Sequence, residues 1–181
     1  MTFLLSPTEL SSISFEEAIA YTHTLLLRAD ELSDREFQRA IADLIDSANG
    51  ARGFFVGYLT EDWEISDRQI NAIIAAIESV PFPASELLVK NLSMSTAMAI
   101  AHRRAGNDSQ AEGSDRVARR STALIRSANL EEIERIAAQM QYSAQTSEGE
   151  YADFLQKWGY DAEQRAAIDM ALLAASQPQG L

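Results

Sequence analysis

The chain contains no cysteine, and only two histidines and four prolines among 181 residues. Without thiols there is no disulfide frame, no thiolate nucleophile and no cysteine-held metal or cluster. No stretch approaches the ~20 uncharged apolar residues of a bilayer-spanning helix. The opening Met-Thr-Phe-Leu-Leu-Ser-Pro has neither the basic leader nor the apolar run of a secretory signal. Cations are scarce too: 15 Lys and Arg face 27 Asp and Glu, a net charge of −12. Nucleic-acid binding draws on a basic face that releases counterions, so a nucleic-acid partner is not expected. Together these absences point to a cytoplasmic protein without membrane insertion.

The signatures of common chemistries are missing as well. There is no Gly-x-x-x-x-Gly-Lys, no Gly-x-Ser-x-Gly and no dinucleotide-type glycine string. Gly50, Gly53 and Gly57 lie inside helical periodicity and do not follow a strand. His23 and His102 have no carboxylate or second histidine three or four residues onward to complete a metal pair. Asp43 with Asp46, and Glu61, Asp62 and Glu64, lack the alternating pattern of a calcium loop and read as solvated faces. Met94 and Met98, near His102, read as core filling. The sequence thus calls for no metal, no cofactor and no catalytic residues, and leans away from an enzyme.

What is present describes a globular helical chain. Apolar residues make up 46% and charged residues 23%, enough burial potential for one core of this length. Ser14-Phe-Glu-Glu17, Ser33-Asp-Arg-Glu36, Ser66-Asp-Arg-Gln69 and Asn129-Leu-Glu-Glu132 carry the capping-box spacing. Ser114-Asp-Arg reads as a further helix start, and Ser6-Pro7-Thr8-Glu9 as an N-terminal turn with proline at the first helical position.

The chain also resembles itself. Residues 24–79 align with 122–174 at offsets of 95 to 98, with 16 identities in 51 aligned positions, and Trp63 faces Trp158. Self-similarity of this length is the mark of repeated supersecondary units. The second copy decides an ambiguity in the first, where Gly53-Phe-Phe-Val-Gly-Tyr-Leu-Thr60 has a strand-like composition. Its counterpart places Tyr151, Phe154 and Leu155 on one helical stripe, so the segment is expected to be helix. A long helix over 35–60 follows, broken or kinked near Asn49-Gly50.

The expected fold is all-α: a single-domain helical bundle of about seven helices. Two similar three-helix halves, 15–79 and 114–176, enclose a central buried helix from the unmatched segment 80–113, and 177–181 forms a flexible tail. That central helix, about 85–105, has no charge between Asn91 and Ala101, as a helix buried on all sides would. Residues 106–113 are expected to be a loop.

Two candidate sites emerge. Thirteen of the fifteen cations are arginine, and residues 86–126 hold seven cations against four anions, so that this segment is +3 and the remainder −15. Within it Arg116, Arg119 and Arg120 share one helix face, with Arg103 and Arg104 close in sequence, an arrangement suited to an anion or an acidic partner. The second candidate is a pocket between the halves, lined by Asn91, Ser93, Ser95, Thr96 and His102, whose buried polar groups need partners. The first suggests a non-enzymatic interaction or assembly protein with a protein partner or self-association. The second suggests a small-ligand- or anion-binding regulator or enzyme.

Overall fold

The computed structural model describes residues 3–128 and 130–177. Their regular elements are ten α-helices and one short 3-10 turn, Ala29–Glu31, and no strand occurs among the described residues. The backbone divides into two compact units, Met1–Leu87 and Leu88–Leu181. The segments 15–79 and 114–176, expected to be repeats, fall in the first and the second.

Unit 1 opens with α1 (Pro7–Ser11) and α2 (Phe15–Leu27), each started by a serine whose hydroxyl accepts from the N3 amide while the N3 glutamate reaches back. α3 (Asp34–Ile45) starts the same way at Ser33 and Glu36. It buries Phe37, Ala40, Ile41, Leu44 and Ile45 on one face and packs on α5 (Asp67–Ser79), which returns Ala72, Ile73, Ala76 and Ile77. These boxes contribute measurably: Ser33→Ala is expected to lower stability by about 1 kcal/mol in chemical denaturation. Hydrogen bonds from Ser33 hold the Glu36 carboxyl below its ordinary 4.5. Because that pKa is lowered on folding, its contribution is present above about pH 4.5 and fades as the pH falls further. The gap between wild type and Ser33→Ala is therefore expected to narrow in acid.

The expected 35–60 helix is two helices, which is one reason the count exceeds seven. The break lies at Asp46 and Ser47, ahead of the expected Asn49-Gly50 position. Ser47 is extended and accepts from the Gly50 amide, so it caps α4 (Ala48–Thr60). Glycine still makes the corner possible, since a Cβ at Gly50 would lie 1.9 Å from the Leu44 carbonyl oxygen of α3. α4 is helical through Phe54 and Phe55, as expected, although the segment aligned with it, 149–156, is helical only from Ala152. It packs closely on α2 through its other glycines: a Cβ would meet Ala18 at 2.4 Å from Gly53 and Thr22 at 3.0 Å from Gly57.

α6 (Pro81–Arg104) crosses the unit boundary, and non-helical torsions at Phe82, before a cis bond to Pro83, interrupt its start. In unit 2, α7 (Asp108–Ala128) corrects two expectations: residues 108–113 are helix and not loop, and Ser114 lies inside the helix instead of opening it. The start has a local signal in the sequence. Asn107 and Gln110 stand at the capping spacing, the Ala111 amide donates to the Asn107 carbonyl at 3.0 Å, and Ala111 is buried.

α8 (Glu131–Thr146) follows; the cap expected at Asn129 lies outside the described residues, as does 178–181 of the expected tail. α8 ends at Ser147 in the left-handed region, φ 62°. α9 (Ala152–Lys157) packs on α8, and α10 (Ala162–Ser176) packs on α8 and α7. A capping box at Asp161 and Gln164 starts α10, and the buried Gln164 amide also donates to the Ala97 carbonyl of α6 at 3.0 Å. No single helix among the described residues is long and apolar enough to cross a membrane; α5 and α6 reach that composition only as a pair bent by 116°.

Candidate functional site

The five candidate arginines divide into two groups. Arg103 and Arg104, at the C-terminal end of α6, pair with acids: Arg103 with Asp115 of α7, and Arg104 with Asp161 and Glu163 at the start of α10. The hydrogen bonds to Asp161 and then Glu163 hold the Arg104 guanidinium above its ordinary range. The reciprocal bond from Arg104 is the main cause that lowers the Asp161 carboxyl. These two arginines close unit 2 on itself, joining the end of α6 to α7 and α10. Such exposed pairs contribute little energy each, but they fix where two helix ends lie.

Arg116, Arg119 and Arg120 stand on α7, at the one-face spacing the sequence gives. Arg119 is exposed, and it forms no ion pair or hydrogen bond among the described residues, while Arg116 and Arg120 are half-buried and partnered. Downstream, Arg126 donates twice to the Ala174 carbonyl of α10, at 2.8 and 3.2 Å.

Two of the candidate pocket residues of α6, Ser93 and Ser95, find partners within their own helix. Buried Ser93 donates to the Val89 carbonyl at 2.8 Å and Ser95 to the Asn91 carbonyl at 2.6 Å. The hydroxyls that suggested a ligand are thus bonded to the preceding turn. Asn91, Thr96 and His102 are half-buried.

The two tryptophans, though aligned, differ in setting. Trp63 is half-buried, donates from Nε1 to the Gly57 carbonyl at 2.8 Å and meets His23 edge to face at 5.3 Å. Trp158 is 48% exposed at the end of α9. α9 has 6 residues against 13 in α4, which leaves the second aromatic less covered.

Residues 14–175 match the family described as Uncharacterised conserved protein UCP020893. The chain belongs to this family. No curated protein and no solved structure matches it. The family match covers both units and every candidate residue above.

Within this family member, the structure also brings together a polar cluster that no sequence motif marks. Arg165 and Asp169 of α10 line a cavity of about 400 Å³ beside the end of α8, together with Gln145 and Ser147. The available signal was a pair of i, i+4 spacings, Gln141 with Gln145 and Arg165 with Asp169. Nothing in either helix alone says that they face each other. Among the described residues no group of three or more His, Asp or Glu is placed to hold a metal ion.

Proposed function

We propose that this protein is a non-enzymatic helical interaction or assembly protein whose docking surface is the arginine face of α7. The observation that carries the reading is the exposed guanidinium of Arg119. Arg103 and Arg104 are engaged with acids of their own unit, whereas Arg119 extends from α7 unengaged, between Arg116 and Arg120. A planar guanidinium on a helix face suits carboxylates, so the fitting partner is an acidic protein surface. A second copy of this chain qualifies, since residues 1–87 carry fifteen Asp and Glu against five arginines.

The proposal extends to architecture: two repeats descend from one duplicated unit, with α6 between them in sequence. In its favour, aligned Gln69 and Gln164 are both buried third residues of a capping box. The helix pairs α3 with α5 and α8 with α10, equivalent in the alignment, both pack.

The test is cross-linking mass spectrometry on the full chain, purified and in cell extract, beside Arg119→Glu. The expected result is cross-links from α7 to an acidic surface that fall about tenfold in the variant, the effect of losing about 1.4 kcal/mol. A monomeric protein without α7 cross-links, or an unchanged pattern in the variant, overturns the proposal.

A further inference from the structure

We infer that the cleft between α8 and α10 is a binding site for a small zwitterion, of which a free α-amino acid is the simplest case. The cleft holds one fixed positive and one fixed negative group, and each is tied to the protein rather than to the other. Arg165 donates from Nε to the Tyr160 carbonyl at 3.1 Å and from Nη1 to Ser147 Oγ at 3.0 Å, which leaves Nη2 uncommitted. Asp169 accepts at Oδ1 from Gln141 Nε2 at 3.1 Å and from Gln145 Nε2 at 3.0 Å, which leaves Oδ2 uncommitted.

Arg165 and Asp169 are four residues apart on α10, a spacing at which opposite charges commonly pair, with Cβ atoms about 5–6 Å apart. No ion pair joins them: Ser147 and the Tyr160 carbonyl hold one side chain, and the two glutamines hold the other. The result is a preorganised pair of opposite charges facing a cavity of about 400 Å³. Preorganisation matters because side-chain ordering, about 0.5–1.5 kcal/mol for each group immobilised, is a main cost of binding.

Ala162, the first residue of α10, also lines the cleft, and the carboxylates of Asp161 and Glu163 at that helix start are engaged by Arg104. Asp169, two turns further along, supplies the site for an ammonium group. Ala144 and Ala166 complete the lining, and their small side chains present no further charge. Recognition would therefore rest on the two charged ends of the ligand more than on its side chain. This cleft is distinct from the α7 face, and either proposal can fail without the other.

The experiment is an NMR titration of the full-length, isotope-labelled chain with glycine, beside acetate and methylammonium at matched ionic strength. Saturable shifts confined to amides of 144–147 and 162–169 are expected with glycine, with at least about tenfold weaker binding of either single-charge probe. Arg165→Gln and Asp169→Asn are each expected to weaken glycine binding about tenfold, while spectra elsewhere stay unchanged. Absence of saturable shifts with glycine overturns the inference. So does acetate binding as tightly as glycine, which would make the cleft an anion site only. Should a variant fail to fold, the glycine and acetate comparison on the unaltered protein decides by itself.

Discussion

Gly53→Val is expected to destabilise unit 1 by about 3 kcal/mol, the upper part of the range for overpacking a tight contact. A Cβ at this position would lie 2.4 Å from that of Ala18, 2.9 Å from the Phe15 carbonyl oxygen and 3.0 Å from the Ala18 carbonyl carbon. Two of the three obstacles are backbone and cannot swing aside. The helices α2 and α4 would have to separate, and with them the cover over Phe54, Phe55 and Leu59. Helix propensity works the other way, because glycine costs about 1 kcal/mol in a helix interior relative to alanine. Packing wins by magnitude.

Gly113→Ala isolates the propensity effect. That glycine also lies within a helix, but a Cβ there meets nothing within 4 Å. It is expected to raise stability by up to about 1 kcal/mol. The measurement is thermal and urea unfolding by circular dichroism, with Trp158→Phe as background so that Trp63 alone reports on unit 1 by fluorescence. For a unit of this size, a loss of 3 kcal/mol corresponds to a fall in midpoint of roughly 10–20 °C. A Gly53→Val midpoint unchanged while Gly113→Ala rises would show that α2 and α4 are not in close contact.

Phe54→Ala has the second large effect, an expected loss of about 3–5 kcal/mol. Phe54 is 1% exposed, meets Phe55 edge to face at 5.4 Å and stacks on Tyr58 at 5.8 Å. Truncation removes the buried area of a ring, leaves a cavity and deletes both ring contacts, each worth about 0.5–1.5 kcal/mol beyond burial. Val56, two residues on, is 38% exposed, and Val56→Ala is expected to cost less than about 1 kcal/mol. Urea unfolding of the two variants reads the difference directly. Equal costs would mean that this face of α4 is not the one turned to the core.

The helical character of residues 53–60 shows how far sequence reasoning reaches and where it stops. Alone, this segment has the aromatic and β-branched content of a strand, and only comparison with 149–156 turns the reading to helix. The glycines predict either close contact or a break, and both occur, at different residues. Gly53 and Gly57 serve the contact with α2, while Gly50 serves the corner that Ser47 caps. Which glycine does which depends on where α3 ends and where α2 lies, and neither is local information. The start of α7 is the opposite case. Asn107 and Gln110 mark a helix start while Gly106 and Gly113 predict a loop, and Gly113, which faces open space, is accommodated in the helix.

The candidate site residues divide the same way. The sequence places Arg116, Arg119 and Arg120 on one face, but cannot say that Arg104 is spent on Asp161 and Glu163, nearly sixty residues away. It flags Ser93 and Ser95 as buried and polar, but not that each bonds the preceding turn. It gave no reason to set Gln141 and Gln145 opposite Asp169.

By itself, then, the sequence determined the all-helical character, the caps at Ser6, Ser14, Ser33 and Ser66, and the spacing of residues around each helix. These follow from interactions within four or five residues, where propensity, capping and periodicity act. Only the tertiary structure decided which helices pack, which glycines lie at a contact, which arginines are paired, and which polar side chains from separate helices share a cleft. Those outcomes depend on burial and on electrostatic partners far away in the chain, and no local pattern encodes them.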